Sequence, residues 1–486
     1  MKRRSFIGNA ARLGIAAFAS STAFKTLAAN RSFDNGDIWE IKQFKDSGLA
    51  HFSYAIAVNK KIILVDPGRD PEQYYSFAKE KNAAITGIIE THPHADFISS
   101  HLEIHQTTGA TIYTSSLTRP SYKFQPFDDG ASLSLGNVAL LRSIATPGHA
   151  PDGISAILQV GEKDIAIFSG DSLLIGDVGR PDLREYSGDV GAKRLQLAKA
   201  MYHTLWNKFD RLPDNVVLYP AHGAGSLCGK NMRDAADSTI GYEKRHNYAF
   251  QKMTEQEFVS LILSDLPLIP EYFPYDVALN IKGAPHLHRS IEKVRILNKN
   301  HAPAAGALVV DGRPGEIFRQ SHLPGAVNIP DGSKFETWLG TIVSPTQPFY
   351  LVAEDQVKLS ALIRKTAKIG YEASINGASA YDLQNGERLL SADPAAIASE
   401  EDKYTIIDVR TNKESGAQPF FKSAINIPVN ELRKRAGEIP AGKPIVVHCA
   451  SGYRSAIASS ILKKIFPDRQ ISDAGQAIIN YSPEKK

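Results

Sequence analysis

Four apolar runs between Ile38 and Pro220 each end in a residue that can hold a metal, and no other feature of this 486-residue chain narrows its fold so far. Ile85–Glu90 leads into Thr91-His92-Pro93-His94-Ala95-Asp96. Val138–Leu141, with Ile144, leads into Thr146-Pro147-Gly148-His149. Asp164–Phe168 leads into Ser169-Gly170-Asp171, and Val216–Tyr219 into Pro220-Ala221-His222. Short apolar runs bounded by turn signals read as buried strands, and a polar residue just past each puts side chains on one rim of a sheet. Imidazoles and carboxylates converging there form a donor set for a divalent metal. A lone histidine after a strand is usually a surface or core residue; four such exits in one stretch do not fit that reading.

His92-x-His94-x-Asp96, Pro147-Gly148-His149, Gly170-Asp171 and His222 resemble the metallo-β-lactamase superfamily in order and spacing. The fold class this implies is α/β, a metallo-β-lactamase αββα sandwich of two mixed sheets with helices outside. Within that superfamily, Ser169–Leu183, with its Gly-Asp-Val-Gly-Arg-Pro-Asp string, and His222-Gly223-Ala224-Gly225-Ser226-Leu227-Cys228-Gly229 look like the persulfide dioxygenase branch. The resemblance runs from about Ile38 to Gly283.

That likeness assigns the metal to His92, His149 and Asp171, a two-histidine, one-carboxylate set that leaves positions on Fe(II) open for substrate and O2. It leaves His94, Asp96 and His222 as groups that orient the ligands or face the substrate. Binuclear hydrolases of the superfamily carry Asp-His in the first motif, whereas here Asp96 is followed by Phe97, which has no lone pair for a second ion. One Fe(II) per chain is therefore expected. The alternative is zinc in a thioester hydrolase of the glyoxalase II kind, where the metal activates water and does no redox chemistry. Arg180 is a candidate to hold an anionic persulfide or, equally, to pair with Asp177 or Asp182. Cys228, six residues past His222, is a candidate to relay sulfane sulfur near the substrate entrance or, nearly as well, a small buried apolar residue.

The rest of the chain holds a repeat. Copy one has Ala307–Arg313, Leu323–Pro330 and Pro348–Ala353; copy two has Tyr404–Arg410, Ser423–Pro428 and Pro444–Cys449. Strand, loop and helix alternate, which implies small α/β domains with parallel sheets. Both copies resemble rhodanese sulfurtransferases. In copy two, Cys449-Ala450-Ser451-Gly452-Tyr453-Arg454-Ser455 joins a strand to a helix, so backbone N–H groups and the positive helix end face the cysteine sulfur. Four residues separate Cys449 from Arg454; similar cysteine phosphatases use five and so form a wider cradle, which favours sulfur transfer with Cys449 and Arg454 as catalytic groups. Asp408 and Arg410 look structural. Copy one has Ala353 in place of the cysteine, then Glu354-Asp355, and reads as a spacer or a scaffold.

The expected divisions are a twin-arginine-type signal at 1–30, the dioxygenase-like domain at 31–285, the cysteine-free rhodanese-like domain at 286–390 and the rhodanese domain at 391–486. Arg3-Arg4 followed by Phe6-Ile7, a weak apolar stretch and Ala28-Ala29 carry the export reading, which places the protein in the periplasm or another extracytoplasmic space. That stretch is shorter than the ~20 residues of a membrane span. A formal net charge of +4 is too small and too dispersed for a nucleic-acid partner. Cys228 and Cys449 are the only cysteines and fall in different domains, so no disulfide framework is expected. The expected partners are a low-molecular-weight thiol persulfide, O2, and sulfite or thiosulfate. The thiol carrier stays open among glutathione, coenzyme A and sulfide-derived polysulfides, and a homo-oligomer stays open too.

Overall fold

The computed structural model describes residues 31–32, 38–184, 190–267, 269–382 and 384–481. The export segment read at residues 1–30 lies outside the described residues.

Two sheets form the first half of the chain. One has seven strands in sequence order, Arg31–Ser32, Ile38–Asp46, His51–Val58, Lys61–Val65, Ala84–Ile89, Thr111–Thr114 and Gln125–Pro126. The other has six, in the spatial order Ser238–Thr239, Val217–Pro220, Lys163–Gly170, Ile154–Val160, Ala139–Ala145 and Ser132–Ser134. Their facing sides share one core, in which Phe52, Tyr54 and Ile56 meet Leu141, Ala156 and Phe168. Helices Glu72–Glu80 and His101–Thr108 cover the outer face of the first sheet through Tyr74, Phe77 and Ile104. Val190–Thr204 and Glu255–Leu263 cover the second through Ala198, Met201, Phe258 and Ile262. This is the αββα sandwich. Strands such as Lys61–Val65, β-branched or aliphatic at all four buried positions, suit sheets buried on both faces.

Two smaller sheets follow. The first is wholly parallel, in the order Val327–Asn328, Val309–Asp311, Phe349–Ala353, Ile375–Ala380. The second, also parallel, runs Leu390–Ser391, Ile471–Asp473, Ile445–His448, Thr405–Asp408, Ile425–Asn426. Among the described residues no helix is long and apolar enough to cross a membrane.

The copies are not strung loosely along the chain. One continuous apolar core runs from Leu49, Ala95, Phe97 and Cys228 through Tyr272 and Val277 to Leu339, Val352, Val447 and Ile457. The helix Tyr272–Lys282 lies in the middle of it. Polar ties reinforce the joint: the Ile98 amide donates to the Lys368 carbonyl at 2.8 Å, and Arg69 pairs with Glu372 at 3.0 Å, both side chains buried.

The helix Phe335–Ile342 of the cysteine-free copy presses so closely on Tyr272 that a Cβ at Gly340 would stand 2.3 Å from the ring. Gly340→Ala should gain helix propensity of about 1 kcal/mol. The ring is buried on all sides and cannot yield, so overpacking should win, with a net loss of about 1–2 kcal/mol in urea unfolding. An unchanged or raised stability would show that this joint is soft.

Candidate functional site

His92, His149 and Asp171 converge from three strand exits, and all three are buried. His92 Nε2 and His149 Nε2 lie 3.7 and 3.5 Å from the same atom, Asp171 Oδ2. The opposite nitrogen of each ring is already committed. His149 Nδ1 is 2.9 Å from the Arg180 carbonyl, so that nitrogen carries the proton. His92 Nδ1 is 3.0 Å from Thr91 Oγ1, whose own proton goes to Asp66 Oδ2 at 2.8 Å, so His92 must donate there. Both Nε2 atoms therefore turn bare lone pairs toward Asp171. Burial, with His94 and His149 as neighbours, holds His92 well below the usual imidazole range, and burial lowers His149 as well. Neutral imidazoles are what a metal ligates.

Asp171 divides its oxygens. Oδ1 is 2.7 Å from His222 Nδ1, while Oδ2 and His92 Nε2 are buried without any hydrogen-bond partner. Burial opposes the charge on Asp171, but His222, His149 and His92 hold its carboxyl well below the usual range. His222 sits between carboxylates, its Nε2 2.9 Å from Asp96 Oδ2. Burial works against its charge, yet Asp171 and Asp96 prevail and raise it well above its usual value. His94 Nδ1 and Nε2, Asp96 Oδ1 and His222 Nε2 are likewise buried without a hydrogen bond, and His92, His94 and Asp171 each offer a ligand atom within 4.8 Å of the others, so this donor-rich cluster fits a divalent ion.

His94 Nε2 lies 3.2 Å from Asp66 Oδ1. Phe97 packs its apolar ring 3.8 Å between centroids from His51 and 4.3 Å from His94. Cys228 sits deeper than an entrance residue. One ligand atom each from His149, Asp171 and Cys228, and one each from Asp96, His222 and Cys228, fall within 4.8 Å of one another. Burial, then Asp96 and Asp171, push the Cys228 thiol well up. Arg180 forms the ion pair with Asp182, at 2.7 and 2.6 Å, and donates to the Pro267 carbonyl; its Nη1 is buried without a partner. Its main chain also matters, since the carbonyl takes His149 and the amide donates to the Cys228 carbonyl at 2.9 Å.

In copy two, Cys449 is fully buried at the end of strand Ile445–His448, and the Gly452 amide donates to its Sγ at 3.1 Å. Arg454, in the first turn of helix Tyr453–Ile465, makes two 2.7 Å bonds to Glu414 rather than reaching the sulfur. It braces the loop from outside. In copy one, Ala353 holds the cysteine's place, and Asp355 caps the following helix Gln356–Lys368 by accepting from the Lys358 amide at 2.8 Å. The helix end that faces a thiol in copy two is filled by the chain's own carboxylate in copy one.

The chain matches the metallo-beta-lactamase superfamily over residues 46–222 and the rhodanese-like domain over residues 391–482. The crystal structure of a metallo-beta-lactamase from Staphylococcus aureus subsp. aureus COL is 30% identical, with a TM-score of 0.64 over 70% of this chain and 98% of that one. The chain belongs to the metallo-beta-lactamase superfamily. It is also 30% identical over 166 residues to the mitochondrial persulfide dioxygenase ETHE1 of Bos taurus, a match that covers 34% of this chain and 59% of that protein. The probable polyketide biosynthesis zinc-dependent hydrolase BaeB of Bacillus velezensis is 26% identical over 218 residues, 43% of this chain and 90% of that protein. The superfamily fold, a metal-binding one, thus stands joined to a rhodanese-like domain.

Three residues that shape the candidate site were not singled out from sequence. Asp66 accepts from both the amide and the hydroxyl of Thr91 and holds a left-handed backbone at φ 49°. It too ends an apolar run, Ile62–Val65, so the rule that found the ligands could have found it, but Asp66-Pro67-Gly68 reads as a turn. His51 begins a strand instead of ending one. Asn280 clamps the ligand loop from helix Tyr272–Lys282: its Nδ2 donates to the His94 and Phe97 carbonyls at 2.9 and 2.8 Å, and its Oδ1 accepts from the Ser99 amide at 2.9 Å.

Asn280→Ala would leave that buried amide and two carbonyls unpaired, and should cost about 2–4 kcal/mol in urea unfolding. It should also speed loss of bound metal to a chelator; wild-type values for both would mean that the loop holds its own shape. A second test lies in copy two. The hydrogen bonds from Arg454 hold the Glu414 carboxyl down at about 2. A depressed carboxylate adds stability above its unfolded value, roughly 4.3, and loses it as pH falls toward 2. Glu414 is 41% exposed, so screening limits the gain to about 1 kcal/mol. Glu414→Gln should therefore be less stable than wild type at pH 7 by about that much, and equal to it near pH 2.

Proposed function

We propose that the chain oxidises a low-molecular-weight persulfide with O2, at one Fe(II) held by His92, His149 and Asp171, and that Cys449 carries sulfane sulfur to or from sulfite. The observation that carries this reading is the ligand set itself. His92 Nε2 and Asp171 Oδ2 are buried without partners, His149 Nε2 lies 3.5 Å from that same oxygen, and Phe97 offers no lone pair where the resemblance leads one to expect a second-ion ligand. The likeness to the Bos taurus persulfide dioxygenase supports it.

The overall change is persulfide, O2 and water to thiol, sulfite and protons. Bound iron(II) would supply open positions for a sulfur anion and for O2, together with redox chemistry that zinc lacks. The protein's own groups do the rest. Arg180 and Thr91 fix the two rings, through its carbonyl and its hydroxyl respectively. His222, held between Asp96 and Asp171, keeps Asp171 turned with Oδ2 outward. Arg180 Nη1, buried and unpaired, is a donor suited to an anionic persulfide. Cys228, beside the ligand atoms, can take sulfane sulfur by thiol–persulfide exchange. In the rhodanese-like domain the Cys449 thiolate would accept sulfane sulfur from thiosulfate, releasing sulfite, or run the same step in reverse. Covalent fusion raises the concentration of sulfite that Cys449 meets.

A zinc-dependent thioester hydrolase is the second reading, favoured by the Bacillus velezensis hydrolase, whose length this chain covers to 90%. Metal analysis of anaerobically purified protein, paired with an oxygen electrode, separates the two. One iron per chain and persulfide-dependent O2 uptake, lost in His149→Ala, are expected. Two zinc ions, with thioester turnover and no O2 uptake, would replace the dioxygenase with the hydrolase.

A further inference from the structure

The cysteine-free copy touches the sulfur-transfer loop through a relay of close contacts that begins at Arg319. This residue lies in helix Gly315–Gln320 of copy one, on the wall of a cleft of about 820 Å³ that copy one lines as far as the strand Leu390–Ser391 at the edge of copy two. Its guanidinium crosses to copy two, where Nη1 lies 2.9 Å from Asp473 Oδ2. The Asp473 side chain is fully buried and Arg319 is 14% exposed. Asp473 ends strand Ile471–Asp473, whose neighbour in the sheet is the strand that delivers Cys449; Val447 and Asp473 are paired across the two.

The relay then runs on through two glycines. Asp473 Oδ1 accepts from the Gly475 amide at 2.8 Å. Gly475 has φ 53°, and a Cβ there would stand 3.0 Å from Arg319 Nη1. Gly452 has φ 90°, and its Cβ would stand 2.6 Å from the Gly475 carbonyl carbon. Both glycines are thus required by the left-handed backbone and by lack of space. Gly452 is the residue whose amide points at Cys449 Sγ. From Arg319 to the sulfur every link is a hydrogen bond or a close contact, 3.0 Å at Gly475 and 2.6 Å at Gly452 for an added Cβ.

We infer that Arg319 is a positioning residue for the sulfur-transfer loop: copy one, which has no nucleophile, holds the loop of copy two in the shape its cysteine needs. Removing the guanidinium leaves Asp473 buried without its cation. Gly475 loses its backing, and the Gly452 amide is free to drift from the sulfur. Arg319 does not itself touch Cys449, so the effect falls on the rate of sulfur capture rather than on recognition of the sulfur donor. This rests on the reading of Cys449 as a sulfur acceptor.

The test is the first half-reaction of the full-length protein, followed as addition of one sulfur to Cys449 by intact mass, with thiosulfate as donor. In Arg319→Met the saturating rate should fall by roughly tenfold, while the thiosulfate concentration for half-maximal rate moves less than about twofold. Arg319→Lys keeps one charged donor for Asp473 and should recover most of the rate. Asp473→Asn, near in size, is the second variant should Arg319→Met not fold, and should slow capture in the same sense. Capture at the wild-type rate in Arg319→Met or in Asp473→Asn overturns the inference, as does a lysine variant as slow as the methionine one. A wild-type protein that loads no sulfur on Cys449 overturns instead the sulfur-acceptor reading on which the inference rests. Those two failures are distinguishable.

Discussion

The candidate metal centre depends on how Asp171 shares its two oxygens. Were both free, the carboxylate could rotate, bridge two ions or take protons; were both hydrogen-bonded, it could ligate nothing. His222 takes Oδ1 at 2.7 Å and is itself pinned at 2.9 Å by Asp96, so Oδ2 alone is left facing His92 and His149. The same contact spreads charge sensibly through a dry site. A carboxylate with no cation nearby would be neutralised by burial, but beside His222 it stays ionised and ready to bind a cation. The imidazoles of His92 and His149 stay neutral for the complementary reason, since burial and neighbouring rings both disfavour their charge.

A set held this tightly needs a rigid frame, and the frame is not confined to the superfamily domain. The loop that carries His92, His94 and Asp96 is tied by Asn280 on one side and, through the Ile98 amide, by Lys368 of the cysteine-free copy on the other. Phe97, next to Asp96, belongs to the core that continues into both copies. Its aromatic ring thus fastens the loop of His92, His94 and Asp96 to the following domains. Loss of packing at that joint would be felt at the candidate metal site, because the interior transmits strain instead of absorbing it.

Much of this was legible in the chain because strand exits carry their own signature. His92, His149, Asp171 and His222 each close an apolar run, and Cys449 closes another, so the local pattern alone brought them forward. What escaped were residues whose partners lie far along the chain. Asn280 reads as one polar position on an apolar helix, and its hydrogen bonds reach 186 and 183 residues back. Arg319 reads as a charged residue near a helix end; its carboxylate is 154 residues on. For Cys228 the sequence left an entrance position and a buried one open; the side chain is buried, and the Arg180 amide donates to its carbonyl. Periodicity reports which face of an element is apolar, not which single polar group on it finds a partner in another domain.

The two copies also separate architecture from chemistry, because each serves as the other's control. Arg313 grips Asp311 with bonds of 3.0, 3.1 and 2.6 Å and donates to the Ser321 carbonyl at 3.0 Å; Arg410 grips Asp408 at 2.9, 3.1 and 2.6 Å and donates to the Gln418 carbonyl at 2.9 Å. Asn328 and Asn426 each clasp the two carbonyls of these pairs at 2.9 Å. A cluster built alike with and without a nucleophile cannot owe its form to catalysis; it shapes the turn after the first strand of each copy. What copy two has alone is Cys449, the open helix end at Gly452 and the Arg454–Glu414 brace. The difference between the copies therefore resides in one loop laid on a common frame. The cysteine-free copy has the same frame, and its sheet and helices form the wall on which the helix Tyr453–Ile465 is seated, with Tyr453 Oη on the Pro330 carbonyl at 2.7 Å and Ser460 Oγ accepting the Asn328 amide at 2.9 Å.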